Sequence, residues 1–206
     1  MVLGLSNRTA IRLYNKPSIT GPTRTIMEFI DVITTRTSIR GYSDKPVEEE
    51  KLRYILDCAR RAPSWANKQC WRFVVVRDKE TIKAIAKHSL FNRWLQTAPV
   101  VIVACADPFE SGSHDDLPFY TVDVAIAVEH LVLAATDVHL GTCWLGAFNE
   151  QKIKKQLEIP KRIRIITIIP LGYPSDKKGV IATITRALAN GEKRKSLDEI
   201  VHYEHW

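Results

Sequence analysis

An α+β fold is predicted, a mixed β-sheet flanked by helices, from three features of the chain. Short apolar runs at Trp71 to Val76, Val100 to Cys105 and Ile163 to Leu171 read as buried strands. Segments with apolar residues at helical spacing alternate with them, and one of these, Tyr120 to Leu140, is apolar around most of its circumference. With 206 residues, 45% of them hydrophobic, the chain can bury one sizeable core and lies within single-domain length.

Residues 1–26 contain no Asp or Glu and carry Arg8, Arg12, Lys16 and Arg24 among several Ser and Thr, a composition like that of an organelle transit peptide. The interpretable pattern begins at Met27. Residues 1–26 are therefore expected to be a basic leader, disordered or outside the domain, and residues 27–206 one domain. Phe29, Ile30 and Ile33 predict a short amphipathic helix from Met27 to Thr34. After Pro46, Glu48, Glu49 and Glu50 form an acidic first turn suited to a helix N-terminus, and Leu52, Ile55, Leu56 and Ala59 recur at helical spacing until Pro63 stops the helix. Lys79 to Lys87 reads as a further helix. Asn92 and Arg93 fall in a loop, where such a pair is more often solvated than in reach of a cofactor, and the Asp-, Ser- and Gly-containing segment from Asp107 to Leu117 lies in one that is expected to be mobile and to border the active site. Asp123, Glu129, His130 and Asp137 interrupt the long apolar helix too often for a membrane span, so it is expected to be buried on all sides, partly by a second subunit. Asn149 should cap a helix running to Leu157, and Pro160 should end it. Beyond Pro174 an arm is expected, ending in the Arg194 segment and a last strand at Ile200-Val201.

Two stretches carry the candidate chemistry. In Arg36-Thr37-Ser38-Ile39-Arg40, two guanidiniums at alternate positions of a non-helical segment point the same way, with a hydroxyl between them, an arrangement able to grip a phosphate. In Pro63-Ser64-Trp65-Ala66-Asn67-Lys68-Gln69, the chain turns sharply at Ser64, which gathers a hydroxyl and two side-chain amides. After Gly141, the small residues Gly146 and Ala147 would let backbone N–H groups approach a flat ligand.

The formal charge of +7 and pI near 9.3 raise the question of nucleic acid. Lys and Arg are spread along the chain, however, without zinc-finger spacing or an aromatic RNA-binding signature, and nucleic acid is not an expected partner. Cys58, Cys70, Cys105 and Cys143 are scattered, as reduced thiols of a cytoplasmic protein would be. The six histidines form no metal-ligating pair, so no metal is expected, and His202 and His205 read as surface residues. No Ser-His-Asp order or pair of catalytic carboxylates stands out. The difficult chemistry is thus assigned to a cofactor rather than to a catalytic side chain.

From Met27 to Trp206 the chain resembles the FMN-dependent nitroreductase family. The resemblance rests on the Arg36 box, the Pro63-Ser64-x-x-Asn67-x-Gln69-x-Trp71 box, Gly141-Thr142-Cys143-Trp144-Leu145-Gly146-Ala147-Phe148, Leu171-Gly172-Tyr173-Pro174 and Lys193-Arg194-Lys195-Ser196-Leu197-Asp198-Glu199-Ile200-Val201, in the family's order. One departure is visible: Cys70 stands where the family usually has proline, which changes the stiffness ahead of the strand and puts a thiol near the expected flavin. The resemblance implies an intertwined homodimer of the nitroreductase-like fold with FMN as cofactor. Arg36, Ser38, Arg40 and Arg194 would meet its phosphate, and Thr37 would also bind the cofactor. Ser64, Trp65 and Asn67, from the partner subunit, would hold the ribityl chain and ring edge, and the backbone at Leu145, Gly146 and Ala147 would face the reactive ring nitrogen. It also implies a two-step reaction in which NADH or NADPH gives a hydride, leaves, and is replaced by a small electron acceptor, a nitroaromatic, a quinone or a related molecule. The alternative is a non-catalytic flavin-carrying or nucleic-acid-associated module of the same fold.

Overall fold

The computed structural model describes residues 27–175 and 194–206. Residues 1–26, expected as a leader, and residues 176–193, expected as part of an arm, lie outside the described residues.

The elements in order are α1 (Phe29–Thr35), α2 (Glu49–Ala59), β1 (Trp71–Val76), α3 (Lys79–Lys87), β2 (Val100–Ala106), β3 (Ser113–His114), β4 (Leu117–Pro118), α4 (Phe119–Asp137), β5 (Gly141–Thr142), α5 (Glu150–Gln156) and β6 (Arg164–Gly172). The main sheet has the order β1-β2-β6-β5, with every strand pair antiparallel. A single parallel bridge, Ser38 to Thr142, adds the Arg36 box to it and makes the sheet mixed.

β2 runs through the middle, and all seven of its residues are buried. Side chains alternate across a strand, so Val100, Ile102, Ala104 and Ala106 join α2 and α4 on one face. Val101, Val103 and Cys105 join α3 and α5 on the other. A bulge opposite Ala104/Cys105 shifts the register of β6, which is why both Ile165 and Ile168 reach the α3 and α5 face.

Helix starts follow local chemistry. The Asp78 carboxylate accepts the Thr81 N–H at 2.7 Å to open α3, and the Asn149 side chain accepts the Lys152 N–H at 3.0 Å to open α5. α4 is long and apolar enough to cross a membrane by length and composition, yet it lies between the sheet and α2 with Asp123 and Asp137 buried, the placement of a core helix. The stripe Val122, Ala125, Ile126 and Leu133 stays only half-buried in the single chain.

Three expectations are corrected. β1 is an edge strand with a half-exposed centre rather than a buried one, because only β2 pairs with it. In α1 the helical period turns Val32 inward and leaves the apolar Phe29 and Ile30 71% and 63% exposed, with Ile33 exposed as well. Ile200-Val201 is not a strand. A capping box between Ser196 and Glu199 winds Leu197–Glu199 into a 3-10 turn, and the N–H groups of Ile200 and Val201 donate to the Leu197 carbonyl, so neither is left for a ladder. His202 and His205 are exposed as expected.

Candidate functional site

α1 ends at Arg36, whose N–H donates to the Val32 carbonyl, and the chain then runs extended along the sheet edge. The Ile39 N–H donates to the Thr142 carbonyl at 2.8 Å, and the buried Tyr42 hydroxyl donates to the carbonyls of Ile39 and Pro170. These anchors fix the alternation of Arg36, Ser38 and Arg40 along the edge next to Thr142 and Cys143. Burial pushes the Cys143 thiol up, while the charge of Arg40, a hydrogen bond from Ser38 and the charge of Arg36 pull it down, leaving it raised. Neither Arg36 nor Arg40 forms an ion pair with a described residue, whereas Arg53, Arg72, Arg77, Arg162 and Arg164 each meet a carboxylate. Two unneutralised guanidiniums beside a hydroxyl are a site for an anion, phosphate above all. Arg36 and Thr37 also line a hollow of ~340 Å³ with Thr136, His139, Leu140 and Gly141.

Next to this box, Leu145 is buried and tied to β6. It exchanges backbone hydrogen bonds of 3.1 Å with Ile168, and its carbonyl accepts the Thr167 hydroxyl at 3.0 Å. The chain then surfaces at Gly146 and Ala147, both exposed. A Cβ placed on Gly146 would meet nothing within 4 Å, so no neighbour inside the chain requires a glycine there. What the glycine provides is bare backbone open to an incoming flat group.

The Ser64 box is built from strained backbone. Ala66, Asn67 and Gln69 all have positive φ, a conformation costly for residues with a Cβ. Inside the box, the Gln69 N–H donates to the Ser64 hydroxyl at 2.9 Å, and the Gln69 side-chain amide donates to the Asn67 carbonyl and side chain. From outside it, the Asp123 carboxylate accepts the Trp65 N–H at 2.8 Å, the Ser111 hydroxyl at 2.7 Å and the Cys70 thiol at 3.5 Å. The Trp65 ring lies 4.6 Å from that of Phe119. Sequence reasoning missed Asp123 as part of this assembly; the available signal was a lone acid near the start of an apolar helix. It also put the Cys70 thiol near the flavin. The structure buries that thiol completely, turned toward Asp123, and burial followed by the charge of Asp123 pushes it up to about 12, so it stays protonated.

With this geometry in view, comparison with known proteins is informative. A sequence model of the nitroreductase family matches residues 33–92 and 89–173. The chain belongs to the nitroreductase family. A nitroreductase family protein of Clostridium novyi NT has 42% sequence identity and a TM-score of 0.71, over 75% of this chain and 90% of that one. A protein of Archaeoglobus fulgidus, provisionally named NADH dehydrogenase/NAD(P)H nitroreductase, is 37% identical over 155 residues, 73% of this chain and 88% of its own. The FMN reductase [NAD(P)H] of Bacillus subtilis is 30% identical over 167 residues, 73% of this chain and 67% of its own.

Within one copy of this nitroreductase-family chain, the expected site residues form two groups. Arg36, Thr37, Ser38 and Arg40 are half-buried beside Cys143, near the end of α4 that bears Thr136. Leu145, Gly146 and Ala147 follow Cys143 along the same edge. Ser64, Trp65 and Asn67 sit instead over Asp123 at the other end of α4, about 20 Å away at the rise of an α-helix. Arg194 is exposed at the start of the C-terminal described segment.

Proposed function

We propose that this nitroreductase-family protein is an FMN-dependent oxidoreductase that passes a hydride from NADH or NADPH to a small organic acceptor, a nitroaromatic, a quinone or a related molecule. The observation that carries the reading is the extended Arg36, Ser38 and Arg40 alternation bridged to Thr142, with neither arginine in an ion pair to a described residue, on the edge that leads to the exposed backbone of Gly146 and Ala147. The donor set fits FMN. The two guanidiniums, the Ser38 hydroxyl, Thr37 and Arg194 would hold its phosphate, the Leu145–Ala147 backbone would face its ring, and Ser64, Trp65 and Asn67 would hold its ribityl chain and ring edge. The name of the Bacillus subtilis relative, an FMN reductase using NAD(P)H, agrees with that assignment.

Bound FMN supplies the redox chemistry, taking two electrons from the nicotinamide and giving them to the acceptor. The protein's own part is positioning. The extended Arg36 box orients the anion against the sheet edge, and Leu145, held by three hydrogen bonds to β6, keeps the following N–H groups in place. Trp65 and Trp144, each 40% exposed, offer flat apolar surface that excludes water from a neighbouring ring.

The separation of the two groups along α4 supports a homodimer in which the 64–69 box of one copy completes the site begun by the arginines of the other. The exposed Phe29, Ile30 and Ile33, with the half-buried stripe on α4, supply apolar surface for such contact. The test is the visible spectrum of the purified protein. A flavin band that bleaches on anaerobic addition of NAD(P)H and returns with a nitroaromatic or quinone is the expected result. A band that never bleaches indicates a carrier, and no band with salt-sensitive retention on DNA indicates a nucleic-acid-associated module.

A further inference from the structure

We infer that Asp123 is a positioning residue for the cofactor: its buried carboxylate holds the strained Ser64–Gln69 box in the shape that receives the flavin ring and ribityl edge. The inference rests on the functional reading above and adds to it a residue that touches neither cofactor nor substrate.

A box with three positive-φ residues in four positions does not hold its shape through local preference, because each of those residues is more stable elsewhere on the Ramachandran map. Its internal hydrogen bonds are short-range and exposed to water, so they compete with solvent. The contacts that exclude water all come from beneath. Asp123 is 2% exposed and gathers donors from three separate segments: the box through the Trp65 N–H, the approach to β1 through Cys70, and the loop before β3 through Ser111. A buried carboxylate satisfied by three donors fixes all three segments relative to α4, which is itself rigid in the core. The loop contributes a second clamp. A Cβ on Gly112 would lie 2.4 Å from the Trp65 indole, so backbone is pressed against the ring, and the Phe119 N–H donates to the Gly112 carbonyl at 2.9 Å. With Cys70 in place of proline at the end of the box, this chain provides a thiol donor that a proline would lack.

The test compares wild type, Asp123→Ala and Asp123→Asn as apoproteins, titrated with FMN and with riboflavin by quenching of flavin fluorescence at a temperature well below their unfolding transitions. Because the box faces the ring and ribityl end, Asp123→Ala should lose about tenfold or more in affinity for both flavins by the same factor, whereas loss of a phosphate contact affects FMN alone. Asp123→Asn should recover most of the loss, since its carbonyl can still accept the Trp65 N–H and its amide can donate to Ser111. If Asp123→Ala does not fold, Ser111→Ala, which removes one of the three donors, should show a smaller loss of the same pattern. Wild-type affinity for both flavins in the folded variant, or a loss confined to FMN, overturns the inference while leaving the flavin reading intact. A wild-type protein that binds neither flavin overturns the flavin reading, and this inference with it.

Discussion

Arg40→Ala should move stability and cofactor affinity independently. In the folded chain Arg40 forms no ion pair with a described residue, and its charge is felt at the Cys143 thiol. Its removal therefore forfeits no salt bridge to a described residue, so the effect on stability should be no more than ~1 kcal/mol at a half-exposed site. The gain from Arg40 arises only when an anion arrives. One charge-assisted hydrogen bond to a phosphate is worth about 1.5–3 kcal/mol, so FMN affinity should fall roughly ten- to 150-fold. Riboflavin, which has no phosphate, should bind wild type and variant equally, and added salt should weaken FMN binding more than riboflavin binding. Titration of both flavins into apoprotein, with thermal unfolding of the same samples, measures all of these. An equal loss for the two flavins, or unchanged FMN affinity, would falsify the phosphate assignment.

Arg194→Ala should behave like Arg40→Ala if its segment reaches the same phosphate; FMN affinity equal to wild type would return Arg194 to the solvated surface. The double variant Phe29→Asp/Ile30→Asp alters side chains exposed in the single chain, so it should leave the monomer core intact but shift sedimentation from twice the 23.4 kDa chain mass toward the monomer, with loss of bound flavin. An unshifted dimer would remove α1 from the interface. Burial pushes the Cys105 thiol up to about 12, as it does that of Cys70, against 9.0 for a free thiol. The folded chain thus holds these protons more tightly than the unfolded one. Their contribution is fully present below about pH 9 and is lost as pH rises toward 12, at most ~1.4 kcal/mol per pH unit for each thiol. Urea midpoints across this range should fall less steeply for Cys105→Ala, and identical slopes would contradict the burial effect.

Features written locally in the chain were legible before the structure. Asn149 was readable as a side-chain cap, and α5 begins beside it; β2 is apolar at every position, and it is an interior strand buried throughout. Features decided by the third dimension were not. Trp71 to Val76 is as apolar as a central strand, but edge or centre depends on which strands pair, and β6 pairs with β2. Phe29 and Ile30 look like a core-facing stripe, yet both stay exposed, because α1 turns Val32 inward instead. Ile200 and Val201 have strand-forming side chains, and the Ser196–Glu199 capping box overrode them. The Arg36 and Ser64 boxes were readable as motifs. Their placement at opposite ends of α4 was not, nor was the convergence of Trp65, Cys70 and Ser111 on Asp123, since these contacts span 12 to 58 residues of sequence.

The central claim is that one flavin site is assembled from the arginine box of one copy and the 64–69 box of another, and subunit mixing tests it most directly. Arg36→Ala/Arg40→Ala and Ser64→Ala/Asn67→Ala chains, each deficient in FMN binding alone, would be unfolded together and refolded as an equal mixture. In a two-fold dimer with shared sites, random pairing makes half of the molecules heterodimers, each with one site whose two boxes are both intact. About one quarter of the wild-type flavin sites should therefore return, together with NAD(P)H-dependent bleaching. A mixture that binds no more FMN than the two variants measured separately would contradict the shared site and place both boxes around a flavin held by one chain.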